Sequence, residues 1–200
     1  MTAPLYGLVL AGGASTRMHS DKAALVYHDR PQLDWTMQLA AGVCRRSFVS
    51  VRAEQARDPL RGAHEQIVDR VPAASPAMGG PLVGILSALE THPEVAWLVL
   101  ACDLPFVDRA TLDHLVANRD PQSVATAYRS SHDGLPEPLC AIFEPRALAP
   151  MREFAAQGRH CPRKFLSHAQ AHLLDLPDPR ALDNVNTVDE RAQALRTLAG

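Results

Sequence analysis

The sequence predicts an α/β fold with a doubly wound, mostly parallel sheet. Three observations carry that prediction. Short apolar runs alternate with segments of helical periodicity along all 200 residues, as strand–helix–strand units require. The run at residues 95–101 is apolar throughout, as expected of a central parallel strand covered on both faces. A turn of small residues follows directly on the first apolar run, the end of a strand where such sheets bind ligands.

The elements follow in order. Residues 5–10 form the first strand, and residues 33–44 set Leu33, Met37, Ala40, Ala41 and Cys44 at helical spacing. Strands are predicted at 47–51 and 66–68, then a loop rich in Pro, Ala and Gly over 72–81. Leu82, Ile85, Leu86 and Leu89 share one face of a helix over 82–89. The strand at 95–101 ends abruptly in Cys102-Asp103-Leu104-Pro105. A helix over 109–117, strands at 123–127 and 138–143, helices over 145–157 and 162–168, a late strand at 172–176 and a closing helix over 188–198 complete the chain. Residues 130–138 read as a loop, and no internal repeat divides residues 1–200, which are read as a single domain.

Composition excludes several classes. The hydrophobic fraction of 46% is ordinary for a globular domain. A net charge of −2 with His neutral, and only 5% aromatic residues, give no field or stacking platform for nucleic acid. The charge balance gives no attraction to an anionic membrane either. No basic segment followed by an apolar stretch opens the sequence, and no window reaches the ~18 continuous apolar residues of a membrane span. Cys44, Cys102, Cys140 and Cys161 are scattered without a C-x-x-C pair. They are therefore expected as buried free thiols, and the expected location is the reducing cytoplasm.

Five motifs carry chemistry. Leu10-Ala11-Gly12-Gly13 and the residues up to Asp21-Lys22 follow the first strand. Small residues there let backbone N–H groups approach phosphate oxygens, and Arg17 and Lys22 add a fork and a mobile point charge. The pattern is neither a P-loop nor a dinucleotide fingerprint. Asp103 stands at the tip of the most apolar strand, a rigid place for a hard carboxylate suited to Mg²⁺; the alternative, a helix cap, falls better to Asp108. Asp69 ends a short strand and is placed either to contact metal, ribose or substrate or to form a turn. Gly79-Gly80-Pro81 opens a helix whose free N–H groups suit a base or phosphate. Asn184 and Asn186 alternate on an extended segment, so both can offer amide oxygens to one side, a metal or a phosphate-bearing substrate being the candidates. Thr187 and Glu190 have the spacing of a capping box.

Other signals are weaker. His160, Cys161, His168 and His172 are broken by Pro162 and by the segment near Ala171, which argues against a zinc site. The basic run 158–164 is either solvated or a holder of an anionic second substrate. No Ser/His/Asp nucleophile arrangement stands out.

Taken together, residues 10–22, 80–85, 102–106 and 184–190 resemble the molybdenum cofactor guanylyltransferase family, within the wider sugar-nucleotidyltransferase-like fold group. The resemblance runs nearly end to end and implies a Rossmann-like nucleotidyltransferase fold. Its N-terminal half would bind the nucleotide and its C-terminal half would face the second substrate. It implies GTP and molybdopterin as substrates, Mg²⁺ as cofactor, and transient contact with molybdoenzymes or other cofactor-biosynthesis proteins. Leu10, Ala11, Gly12 and Gly13 would line the nucleotide, Lys22 would contact its phosphates, Asp69 would lie in the guanine-nucleotide site, and Asp103 would bind Mg²⁺. Ser50 stands where the family often has a nucleotide-contacting Asn, and His19 where it usually has Gly. Residues 136–140 depart from the best-known members in the region that would face the pterin. Rival expectations are a CTP-dependent molybdopterin cytidylyltransferase, a sugar-phosphate nucleotidyltransferase, and a nucleotide-binding module without turnover.

Overall fold

The computed structural model describes residues 2–11, 21–71 and 79–198. Among them, seven strands form one sheet in the order β3-β2-β1-β4-β6-β5-β7. These are β1 (Leu5–Leu10), β2 (Ser47–Val51), β3 (Gln66–Val68), β4 (Ala96–Ala101), β5 (Ala125–Arg129), β6 (Pro136–Phe143) and β7 (His172–Leu174). The helices are α1 (Gln32–Val43), α2 (Pro59–Gly62), α3 (Pro81–Thr91), α4 (Arg109–Ala117), α5 (Leu148–Ala156), α6 (Pro162–His168) and α7 (Val188–Leu198). The sheet is mostly parallel, as expected, but β6 runs antiparallel to both β4 and β5.

Alternation of side chains along each strand separates two apolar layers. On one face Leu8, Trp97 and Val99 pack with α3, α5 and α6 through Leu82, Ile85, Met151, Phe154 and Phe165. On the other, Val9, Leu98 and Leu100 pack with α1 and α4 through Leu33, Met37, Leu112 and Leu115. All six residues of β4 are buried, which is why that strand reads as unbroken apolar sequence.

Some boundaries differ from expectation. β5 starts at Ala125 because Ser123 is held in a turn, its Oγ donating to Asp120 Oδ2 at 2.6 Å. β6 begins at Pro136, inside the stretch expected as loop, beyond a bulge at Ala127/Tyr128. The edge strand β7 stops at Leu174, where its pairing with Tyr128 of β5 ends. The helix expected over 145–157 opens with a 3₁₀ turn, Pro145–Ala147, before α5. Helix α2 has no counterpart among the expected elements and starts at an Asp-Pro step: Asp58 caps it by accepting from Arg61 N, with Pro59 in the first turn. Cys102 and Cys140 are buried and Cys44 is half-buried, and burial pushes all three thiols up to about 12. Cys161 departs from expectation: it precedes α6 on the exposed side.

Candidate active site

The strand order fixes where a ligand can sit. The chain builds β1, β2 and β3 outward in one direction, then returns to place β4 on the other side of β1. The connections therefore diverge between β1 and β4, and the place beyond their carboxyl ends is where such sheets bind ligands. Leu10 and Ala101 are the last paired residues of the two strands, and one more backbone bond, Cys102 N to Leu10 O at 3.3 Å, carries the ladder to the tip. Ala11 and Asp103 thus emerge side by side.

Three sequence-distant side chains meet there. Lys22 Nζ donates to Asp103 Oδ2 at 3.1 Å and to Asn186 Oδ1 at 2.5 Å. Both charged side chains are partly open to solvent, Lys22 at 24% and Asp103 at 21%, so a ligand can reach them. Each is positioned by its own element. Asp21 precedes a 3₁₀ turn, Lys22–Ala24, and caps it by accepting from Ala23 N. Asp103 is held at the tip of β4, and its backbone oxygen accepts from Val185 N at 3.0 Å, which ties the segment before α7 to this edge. Glu190 Oε2 accepts from Asn186 N and Thr187 N, while Thr187 Oγ1 accepts from Glu190 N, the reciprocal cap expected from the spacing. That cap orients Asn186. Asn184 is exposed and lines the neighbouring cleft instead.

The cap of α4 is Asp108, whose Oδ1 accepts from Thr111 N. Asp103 is therefore spared that task, and its Oδ1 is buried without a hydrogen-bond partner among the described residues. An unpaired buried carboxylate oxygen is costly. With Oδ2 and the Asn186 amide oxygen already converging on a cation, the donor set is hard, anionic and oxygen-only, which is the chemistry Mg²⁺ prefers.

A second group lies at the carboxyl ends of β2 and β3. Ser50 Oγ donates to Asp69 Oδ1 at 2.7 Å, and Asp69 N donates to Val51 O. Asp69 is thus held by the sheet edge. Helix α3 packs onto this pair through Gly84: a Cβ there would stand 2.5 Å from Ser50 Oγ and 3.4 Å from Asp69 Oδ1. Gly80 caps α3 at φ 78, a backbone conformation that glycine adopts freely, and Pro81 follows. Desolvation by burial raises the pKa of Asp69, against the lowering effect of the Ser50 hydroxyl. Folding therefore favours the protonated form. That contribution to stability is complete below the unfolded value of 3.8 and is lost as pH rises through the raised folded value. Burial thus penalises the charged form of this carboxyl, so Asp69→Asn is expected to melt at or above the wild-type temperature at pH 7. A lowering of several degrees in a thermal melt contradicts this reading of the group.

A cleft of about 830 Å³ opens from Asp103 toward the second half of the chain. Its walls include Phe106, His132, Glu137, Arg163 and Asp183. Arg163 donates to Asp133 at 2.9 Å and to Glu137 at 2.8 Å, and His132 is hydrogen-bonded to Asp183 at 2.9 Å. Of the basic run 158–164, Arg163 is the side chain that lines this cleft.

Gly12, Gly13, Arg17 and His19 lie outside the described residues. Leu10 and Ala11 lead into that segment, and Asp21 and Lys22 leave it. Sequence reasoning missed Arg61. It is 2% exposed on α2 and contacts both Ala11 and Asp21. The Asp-Pro step foretells the short helix, but nothing local foretells an inward-turned arginine.

Residues 7–173 match the family model described as a MobA-like NTP transferase domain. The chain is 35% identical over 190 residues to a molybdenum cofactor biosynthesis bifunctional protein of Synechocystis sp., covering 95% of this chain and 53% of that protein. It thus spans about half the length of that relative. It is 30% identical to the molybdenum cofactor guanylyltransferase of Pseudomonas fluorescens, covering 98% of this chain and 94% of the relative. Among solved structures, molybdopterin-guanine dinucleotide biosynthesis protein A from Archaeoglobus fulgidus shares the fold with a TM-score of 0.76 at 21% identity, covering 97% of this chain and 98% of that one. The 2-C-methyl-D-erythritol 4-phosphate cytidylyltransferase of Thermus thermophilus has a TM-score of 0.69 at 15% identity, with both chains fully covered.

Proposed function

The chain belongs to the MobA-like NTP transferase family, and on that premise we propose that it transfers GMP from GTP to molybdopterin, releasing pyrophosphate and forming a guanine dinucleotide cofactor. The observation that carries the reading is the meeting of Lys22, Asp103 and Asn186 at the crevice between β1 and β4. The substrates themselves are suggested by the names of the relatives and by the motifs at residues 10–22 and 184–190.

Both reactants are polyanions, so repulsion and misorientation are the main barriers to reaction. The terminal phosphate of molybdopterin attacks the α-phosphorus of GTP. A new P–O bond forms, the bond to the β-phosphate oxygen breaks, and pyrophosphate leaves. The attacking phosphate is already ionised at neutral pH, so no general base is needed. Lys22 is a mobile point charge on a long stem; it turns from Asp103 to the phosphates when GTP binds. Gly12, Gly13 and Arg17 belong to the same phosphate-holding motif in the sequence. Leu10, Ala11, Ser50, Asp69 and Gly80 line the nucleoside side, with the Asp69 carboxylate offering an acceptor to the base edge. Asn184 and Asn186 face the second substrate, and the cleft lined by Arg163 and His132 receives it. Asp103, aided by the Asn186 oxygen, would hold Mg²⁺. When bound, that ion would offset negative charge on the phosphates.

The test is pyrophosphate release with GTP, CTP, ATP and UTP, each with Mg²⁺ and molybdopterin. The expected result is release that depends on GTP and molybdopterin together. Release with CTP alone of the four moves the protein to cytidylyl transfer. Release with none of them defeats the proposal.

A further inference from the structure

Arg61 is a buried cation that the reaction scheme above does not use. Its guanidinium joins three points of the chain. One terminal nitrogen donates to the backbone oxygen of Ala11 at 2.8 Å and to Asp21 Oδ1 at 2.9 Å. The other donates to Asp21 Oδ2 at 2.7 Å and to Asp58 Oδ1, the cap of its own helix, at 3.1 Å. Asp21 is thus gripped through both carboxylate oxygens, a planar fork-on-fork contact open to arginine and closed to lysine. The side chain of Arg61 is only 3% exposed, while those of Asp21 and Asp58 are 40% and 36% exposed.

A buried guanidinium adds little net stability over an apolar side chain of the same size. What it supplies here is geometry. Ala11 marks the exit of β1 and Asp21 immediately precedes Lys22. Asp21 Oδ1 also accepts from Ala23 N, so the carboxylate that Arg61 grips is the one that caps the turn carrying Lys22. The pin therefore ties the start of that turn to the end of β1, one strand away from Asp103. We infer that Arg61 is a positioning residue: it acts through Lys22, setting the height of that ammonium above the carboxyl edge of the sheet so that it meets the phosphates of a nucleoside triphosphate. This rests on the phosphate-binding role given to Lys22 above.

The test is a double-mutant cycle on GTP affinity, read by titration calorimetry, with GMP as the control ligand. Arg61→Met is expected to weaken GTP binding by about tenfold or more, the scale on which supporting residues act on the groups they orient. GMP affinity is expected to stay within about twofold, because Lys22 serves the phosphates that GMP lacks. In a Lys22→Met background the same substitution is expected to have no further effect on GTP. Arg61→Lys should recover only part of the loss, since an ammonium cannot fork. Should Arg61→Met fail to fold, Asp21→Asn weakens the same grip from the exposed side and is expected to show the same dependence on Lys22. An equal loss with and without Lys22, or equal losses for GTP and GMP, overturns the inference and leaves Arg61 a support of the fold alone. If Lys22→Met itself binds GTP as the wild type does, the fault lies instead in the role given to Lys22.

Discussion

Asp103→Ala is expected to lower the rate of nucleotidyl transfer by about 10³-fold, with a melting temperature at or near that of the wild type. The two halves of that expectation have separate causes. The side chain lies at a strand tip, one-fifth exposed, with no helix to cap and with Oδ1 unpartnered among the described residues. Removing it opens no cavity in either apolar layer and relieves an unsatisfied buried oxygen. On the proposed function, catalysis, by contrast, depends on a fixed negative group where the triphosphate and its metal would be held. Pyrophosphate release and a thermal melt measure the two effects separately. Transfer at the wild-type rate removes Asp103 from the site. A melting temperature lowered by ten degrees makes it a structural residue.

The largest stability effect is expected at the opposite edge of the sheet. Arg119 follows α4 and donates to both oxygens of Glu144, at 2.5 and 2.8 Å, and to the backbone oxygen of Ala3 at 3.0 Å. Glu144 is 2% exposed at the end of β6. Because β6 is antiparallel to β4, that end lies at the amino edge, away from Asp103. Arg119→Ala leaves a buried carboxylate without its counter-charge, an arrangement that costs about 3–5 kcal/mol. For a chain of this size that lowers the melting temperature by roughly 10 °C. Replacing both partners together, Arg119→Met with Glu144→Leu, is expected to restore much of the loss, since a well-packed apolar pair avoids the desolvation penalty. Denaturant unfolding measures both variants; a cost below ~1 kcal/mol for Arg119→Ala contradicts the assignment.

The two edges differ in how far the sequence discloses them. β1, β2, β3, α4, α6 and α7 have the limits their apolar periodicity suggests, because each is decided by local burial and by nearby caps such as Asp108 and Thr187. The antiparallel course of β6 is not legible, since an apolar strand reads the same in either direction. The bulge at Ala127/Tyr128 is likewise set by a partner strand. At the site, Lys22, Asp103 and Asn186 each stand out through chemistry placed at the end of an element. That they converge depends on strand order and on Val185 pairing with Asp103 O, which no local pattern encodes. Arg61 is the clearest omission. In sequence it is one of 20 Lys and Arg residues, and only the fold turns it inward between Ala11 and Asp21.

On the proposed function, the acid at the tip of β4 and the segment after β1 serve one metal–triphosphate complex. Electron paramagnetic resonance of Mn²⁺ in place of Mg²⁺, titrated into the protein with and without GTP, tests this directly. Wild-type protein is expected to bind Mn²⁺ far more tightly with GTP present, and Asp103→Ala to lose most of that gain while still binding free GTP. Equal Mn²⁺ affinity in the two proteins with GTP bound would place the metal away from Asp103 and contradict that shared role.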